Sequence, residues 1–365
     1  MVNIYELALA KTFGIGSITA KALIDHFGSA EALFCEDRKS LEIIFKSKTR
    51  TIDEIINRTM FAQCEQELEF MQRYGINSFF FANADYPNNL KQIADPPICI
   101  FFQGNGNLNA ERIVAIVGSR KITDYGKQTT LAIVEELRRY NATIVSGLAY
   151  GVDTASHIAA LDRGMPTFGV LGHGLDMIYP RENFDLAQKM KTQGGIVSEY
   201  FSKTKMNPSL FPQRNRIIAG LSHLTIVIEA TFNSGALITA RIANSYNREV
   251  MAVPGRLNDT SSEGCNAIID KDIARIISRT TDIARLMHWD KSDKEQAAFD
   301  FAKTTPDLPP QEAKIYKIIA DNEGINIDEL TIKSKMNTSQ LASALLNLEI
   351  NNHIRTLPGK CFGLL

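Results

Sequence analysis

Several short stretches of this sequence set glycine, small polar residues and arginine side by side, a mixture suited to holding a polyanion. The apolar run Val114-Ala115-Ile116-Val117 leads into Gly118-Ser119-Arg120, with good helix N-caps just beyond at Thr123 and Asp124. A Gly-Ser turn lets the backbone approach an anion, a helix amino end favours negative charge, and Arg120 adds a bidentate phosphate donor. The run Ile144-Val145-Ser146-Gly147-Leu148-Ala149-Tyr150-Gly151 is again small and glycine-rich. In Tyr179-Pro180-Arg181-Glu182-Asn183-Phe184 an arginine and an aromatic lie three residues apart, so at a helix start they share one face. A cation beside a stacking ring suits single-stranded nucleic acid, whose bases need a platform and whose phosphates need a charge. Phe211-Pro212-Gln213-Arg214-Asn215-Arg216 places two arginines just inside another helix, too close together for both to be expected to face the core. Ser234-Gly235-Ala236 opens a further helix and is a second anion-competent start.

Other chemistries fit less well. The first turn lacks G-x-G-x-x-G and an acid reserved for a ribose, and no G-K-[ST] follows it, so neither a dinucleotide fingerprint nor a P-loop is present. Asp153 and His157 lie one helical turn apart; an N-capping Asp and a packed His explain the pair better than a metal site. The five cysteines, Cys35, Cys64, Cys99, Cys265 and Cys361, are scattered without C-x-x-C spacing, which points to free thiols in a reducing compartment. No catalytic triad order, metal cluster or cofactor motif emerges. Taken singly, each glycine-arginine turn is equally well explained as a tight turn with a solvated cation; their convergence on one edge favours the polyanion.

That convergence depends on the elements that carry the turns. Between Arg112 and Met287, apolar runs beginning near Ile113, Thr143, Thr167, Ile196, Thr225, Val250 and Ile273 alternate with helical stretches such as 124–140 and 234–247. Near-continuous apolar strands alternating with helices imply a parallel sheet covered on both faces, with ligands at the carboxyl ends of its strands. Residues 1–75 read as a helical module, including one long polar helix around 51–74 with Ile52, Ile55, Ile56, Met60, Cys64 and Leu68 on its buried face. Residues 77–103 read as transitional, with strand-like runs at 79–81 and 98–102. The expected division is a helical module over 1–75, an α/β core over 76–290, a linker over 291–310 and a closing domain over 311–365. That last stretch suggests three short helices, then strands at 353–357 and 361–364 turned at Pro358-Gly359, the pattern of a winged helix.

Bulk charge is uninformative about the site. Forty Lys+Arg against 41 Asp+Glu leave a net charge of -1, which excludes a strongly basic histone-like binder but not a local basic groove. Even residues 111–230 carry 14 cations against 11 carboxylates, a surplus of only three. The composition, 44% hydrophobic and 22% charged, is that of a globular chain of roughly two to three domains. No signal-peptide pattern or membrane-spanning run is seen, so a cytoplasmic location is expected.

The strings VAIVGSRKITDYG, VSGLAYGVDTASHIAAL, GLDMIYPREN, FPQRNRIIAGLS, EATFNSGALITARIA and REVMAVPG occur in this order. On them the chain resembles the DNA-processing protein A (DprA/Smf) family, departing from its pattern at His173, Cys265 and 270–274. The resemblance implies an extended Rossmann-like parallel-sheet core between an N-terminal SAM-like or helix-hairpin-helix module and a C-terminal winged helix. It implies a homodimer that binds single-stranded DNA, protects incoming strands during natural transformation and helps load the RecA recombinase, with no cofactor and no membrane partner. By motif position, Gly118, Ser119 and Arg120 would cradle a phosphate, and Gly147 would lie in the same groove. Arg181 and Phe184 would form its basic and stacking wall, and Arg214, Asn215 and Arg216 would complete its floor, partly as structure; Ser234 and Gly235, the second anion-competent helix start, are expected to join these site residues. The N-terminal module, with only Lys21 as a cation in the helix after Phe13-Gly14-Ile15-Gly16, is expected to serve structure or protein contacts, and so is the winged helix, whose 338–347 contains no Lys or Arg. A Rossmann-like nucleotide phosphoribohydrolase and a scaffold that touches no DNA are the alternative readings.

Overall fold

The structure is a computed structural model and describes residues 2–46, 48–290, 308–322, 324–351, 353–357 and 361–364. The chain forms two compact units, Met1–Trp289 and Asp290–Leu365.

The first unit begins with six helices: α1 Ile4–Lys11, α2 Ser17–Phe27, α3 Ala30–Phe34, α4 Arg38–Phe45, α5 Thr49–Ile56 and α6 Phe61–Tyr74. The single long helix expected over 51–74 is therefore two. Arg58 takes a positive φ of 50°, which no right-handed helix continues through, and the chain restarts at Phe61. The apolar periodicity runs across the break because Ile52, Ile55, Cys64 and Met71 all bury into one core. That core also holds Phe101, Leu148, Leu171 and Ile196 from the sheet region, so the helices pack directly on the α/β layer.

The strands are β1 Asn77–Phe80, β2 Cys99–Gly104, β3 Ile113–Val117, β4 Thr143–Ser146, β5 Thr167–Val170, β6 Gly194–Ser198, β7 Leu224–Val227, β8 Glu249–Ala252 and β9 Arg275–Ile276. They form one sheet in the order β1-β2-β6-β5-β4-β3-β7-β8-β9. From β6 to β9 every pairing is parallel. The strand-like runs of the transitional stretch form β1 and β2, which extend the sheet antiparallel on β6. Helices α8 Asp124–Arg138 and α9 Val152–Asp162 pack on one face, and α11 Leu210–Leu221 and α12 Gly235–Ser245 on the other. Strand β3 shows why its sequence is apolar throughout: Val114 and Ile116 enter the core beneath α8 and α9, and Ile113, Ala115 and Val117 the core beneath α11 and α12. The connections α7 Asn88–Lys91, α10 Phe184–Thr192, α13 Glu263–Asp270 and α14 Asp282–Leu286 complete the unit. Successive strands step one way from β3 through β4 and β5 to β6, and the other way from β7. The order therefore reverses between β3 and β7, and a doubly wound sheet opens its ligand crevice at the carboxyl ends on either side of such a reversal.

The second unit contains helices Pro310–Asp321, Ile327–Ser334 and Thr338–Ile350, with strands β10 Ile325–Asn326, β11 Ile354–Leu357 and β12 Cys361–Leu364 in the order β10-β12-β11. Ile315, Ile319, Leu330, Leu341, Leu345, Leu348, Ile354 and Phe362 form its core, the arrangement of a winged helix. The Pro358-Gly359 turn and positions 291–307 of the expected linker lie outside the described residues. Among the described residues no helix is long and apolar enough to cross a membrane.

His157, on α9, is fully buried with Nδ1 2.7 Å from Thr167 Oγ1 and, among the described residues, no partner for Nε2. Burial, aided by the nearby Arg214 charge, lowers its pKa to about 3. A folded-state pKa below the unfolded value near 6.5 contributes stability that is complete above about pH 6.5 and lost as pH falls towards 3. Unfolding free energies of the wild type from urea titrations should therefore fall more steeply between those limits than those of His157→Gln. The difference should approach about 1.4 kcal/mol per pH unit, and parallel profiles would contradict the assignment.

Candidate nucleic-acid interface

At the end of β3 the chain turns through Gly118, Ser119, Arg120 and Lys121 before Thr123 caps α8. A Cβ on Gly118 would lie 2.5 Å from Val152 Cγ2, so the turn sits flat on the first residue of α9. Ser119 O accepts from Val152 N at 3.1 Å, and Ser119 Oγ bonds both the N–H and the carbonyl of Lys121 at 3.0 Å. The Ser119 hydroxyl thus holds the turn. Arg120 and Lys121 are exposed, and neither side chain has a hydrogen-bond or ion-pair partner among the described residues.

The amino end of α8, expected to be open to phosphate, already holds an anion. The fully buried Glu229 carboxylate accepts from Thr123 N at 3.0 Å and from Thr123 Oγ1. An external anion at this turn therefore meets the side chains of Arg120 and Lys121 instead of the α8 dipole.

Arg214, on α11, is 5% exposed. Its Nη1 donates to Gly147 O at 2.7 Å and to Val170 O, joining the ends of β4 and β5, while Nε donates to Asn215 Oδ1 at 3.2 Å. A Cβ at position 147 would stand 2.5–2.7 Å from the guanidinium, so only glycine leaves room for it. Asp153 is not the expected N-cap; Gly151 takes that position on α9. The Asp153 carboxylate instead turns back to accept from Gly147 N at 3.1 Å and Ala149 N at 3.2 Å. Burial lowers the Arg214 pKa to about 10, against the pull of Asp153, so the guanidinium stays charged at neutral pH. Burial likewise raises Asp153, with Arg214 and the two N–H groups opposing it.

Both neighbouring arginines of the Arg214-Asn215-Arg216 string face inward, contrary to the expectation that one would be left outside. Arg216 Nη1 donates to Asp95 O at 2.8 Å and Nη2 pairs with Glu199. Each inward guanidinium has its own acceptors on a different side of α11, so neither needs solvent. Asn215, 8% exposed, reaches Gly235 O at 3.4 Å and links α11 to the start of α12.

These elements enclose a cleft of about 670 Å³ at the ends of β3 and β7. Gly118, Ser119, Arg120, Arg214, Asn215, Ser234 and Gly235 line it, joined by Lys121, Asp153, Tyr179 and Phe211. Three lining cations thus face one lining carboxylate, and that carboxylate is already committed to backbone N–H groups. At the α12 start, Ser234 Oγ accepts from Ala236 N at 3.2 Å, and nothing lies within 4 Å of where a Gly235 side chain would begin. Gly147 and Arg216 do not line the cleft: the first supports Arg214 from below and the second cross-links the back of α11. Arg181 and Phe184 lie outside it, on the loop and helix start that follow β5; both are exposed, Phe184 by 51%. Tyr179 and Phe211, with ring centroids 6.0 Å apart, escape the reading of the sequence, although each sits beside a proline and close to one of its arginines. Lys121, next to Arg120, escapes it too. Among the described residues no three His, Cys, Asp or Glu side chains converge as a metal site.

Residues 77–288 match the family described as DNA recombination-mediator protein A, and residues 300–360 match the DprA winged helix domain. Protein Smf of Synechocystis is 31% identical over 385 residues, covering 97% of this chain and 97% of that protein. The X-ray structure of DNA processing protein A from Streptococcus pneumoniae superposes with a TM-score of 0.69 at 31% identity, covering 78% of this chain and 98% of that one. A structure of DNA processing protein A from Helicobacter pylori, described for its single-stranded DNA binding mode, gives a TM-score of 0.54 at 30% identity, with coverage of 59% and 96%.

The geometry separates structural from surface arginines. Arg216→Ala strands the Glu199 carboxylate, whose pKa burial already raises, and should cost about 2–4 kcal/mol in urea unfolding. Arg120→Ala should leave the unfolding midpoint unchanged, and equal destabilisation of the two variants would contradict this division.

Proposed function

The chain belongs to the DNA recombination-mediator protein A family, and on that premise we propose that it binds single-stranded DNA along the carboxyl edge of its sheet. The observation that carries the reading is the pair of exposed cations Arg120 and Lys121, without side-chain partners among the described residues, lining a cleft whose wall holds the charged Arg214. Phosphates satisfy the cations, and unpaired bases have Tyr179, Phe211 and the exposed Phe184 ring to stack on. The single-stranded DNA binding mode described for the Helicobacter pylori relative supports the same substrate.

A single strand suits these features better than a duplex, whose bases are already stacked. The helix Thr338–Ile350, placed where a winged helix presents its reading helix, contains no Lys or Arg and turns Leu346 and Ile350 outward. That composition favours protein contact over duplex reading. A nucleotide hydrolase would need a carboxylate free to act near a ribose. Glu229 is buried beneath α8, and Asp153 is held by two N–H groups and the Arg214 charge. We extend the reading to a homodimer that shields incoming strands and helps load RecA in natural transformation, as the family resemblance implies.

Oligo-dT titrations at two salt concentrations test the groove. Arg120→Glu should weaken binding about tenfold or more and reduce the salt slope by about 0.7 for each phosphate that the variant no longer neutralises. Phe184→Ala should cost roughly 1–3 kcal/mol of affinity if a base stacks there. Wild-type affinity in a folded Arg120→Glu protein would contradict the proposal.

A further inference from the structure

On one flank of the cleft, after β5, an exposed arginine and an exposed ring stand together as Arg181 and Phe184. The opposite flank repeats this pairing of residue types. Phe232, in the loop after β7, is 55% exposed and sits between the cleft-lining residues Thr231 and Ser234. Arg256, in the loop after β8, is exposed, and its side chain has no hydrogen-bond or ion-pair partner among the described residues. Strands β7 and β8 are adjacent and parallel, so these two loops leave the same edge from strands about 5 Å apart. Ser261, in the connection that contains Arg256, lines the cleft, which ties this flank to it.

The nearby carboxylates are already engaged. Glu263 accepts from Phe232 N at 3.2 Å, fixing the backbone beneath the ring, and Asp259 accepts from Ser261 N at 2.9 Å. The Phe232 ring packs against no other aromatic ring among the described residues, so an exposed ring and, on the loop from the next strand, an exposed guanidinium without a partner among those residues are both available beside the cleft.

We propose that Phe232 and Arg256 form a second flanking subsite for single-stranded DNA, one stacking a base and the other holding a phosphate, so that the strand crosses the cleft and continues over both sides. The proposal rests on the single-stranded DNA reading above and adds two binding residues and a longer footprint to it. The strand then spans the loops from β5 to β8, four intervals of about 5 Å across the sheet.

The test uses the full chain and oligo-dT of roughly 20 nucleotides, long enough to cover both flanks. The sequence has one tryptophan, Trp289, which packs beside Tyr140, so Phe232→Trp adds a single reporter at the proposed subsite. Saturating oligo-dT should quench the added emission while that of the wild type stays constant. Arg256→Glu should weaken binding about fivefold or more at low salt and reduce the salt slope, with unchanged thermal stability. Full-affinity binding with no quenching, together with Arg256→Glu affinity within about twofold of wild type, would overturn the subsite and leave the groove reading intact. No binding of oligo-dT by the wild type would overturn both.

Discussion

A charged guanidinium buried under the carboxyl edge of the sheet is the constraint on which the site depends. Removing Arg214 from water is costly unless its donors and its charge are matched. The match comes from the carbonyls of Gly147 and Val170 and from the charge of Asp153. Those acceptors lie at the ends of β4 and β5, so satisfying one side chain fixes α11 against two strand ends. It also leaves a permanent positive charge in the cleft wall. Gly147 and Asp153, which look like separate features in the sequence, both answer to this one guanidinium.

A second internal ion sets where an external anion can go. Glu229 occupies the amino end of α8, the place where many doubly wound sheets receive a phosphate. With that end neutralised from within, anion capacity passes to the outward cations of the β3 turn and to the α12 start at Ser234 and Gly235. The result is an open, cation-lined edge flanked by exposed rings, better matched to a passing strand than to an enclosed nucleotide. Glu229 is thereby a structural acid, which is why a carboxylate at a strand end does not by itself indicate hydrolysis.

What the sequence revealed was local. Strand starts at Ile113, Thr143 and Thr167 could be read because both faces of each strand are buried and the runs are continuously apolar. The glycine-arginine turns could be read because their residue types are unusual at strand ends. The hidden parts are partnerships across long stretches of chain. Arg216 finds Asp95 at a separation of 121 residues and Thr123 finds Glu229 at 106, and no spacing rule connects such positions. The same limit hid the pairing of β2 with β6, since an antiparallel strand joining a parallel sheet has no local signature of its own. The break between α5 and α6 was masked by an apolar period that both helices share.

Location of the bound strand is the central claim, and photochemical cross-linking reads it most directly. Oligo-dT carrying bromodeoxyuridine, irradiated in complex with the full chain and mapped by peptide mass spectrometry, should attach to peptides bearing Tyr179, Phe184 or Phe211 on the carboxyl edge. Adducts confined to α1–α6 or to the helix Thr338–Ile350, with none on that edge, would contradict the account.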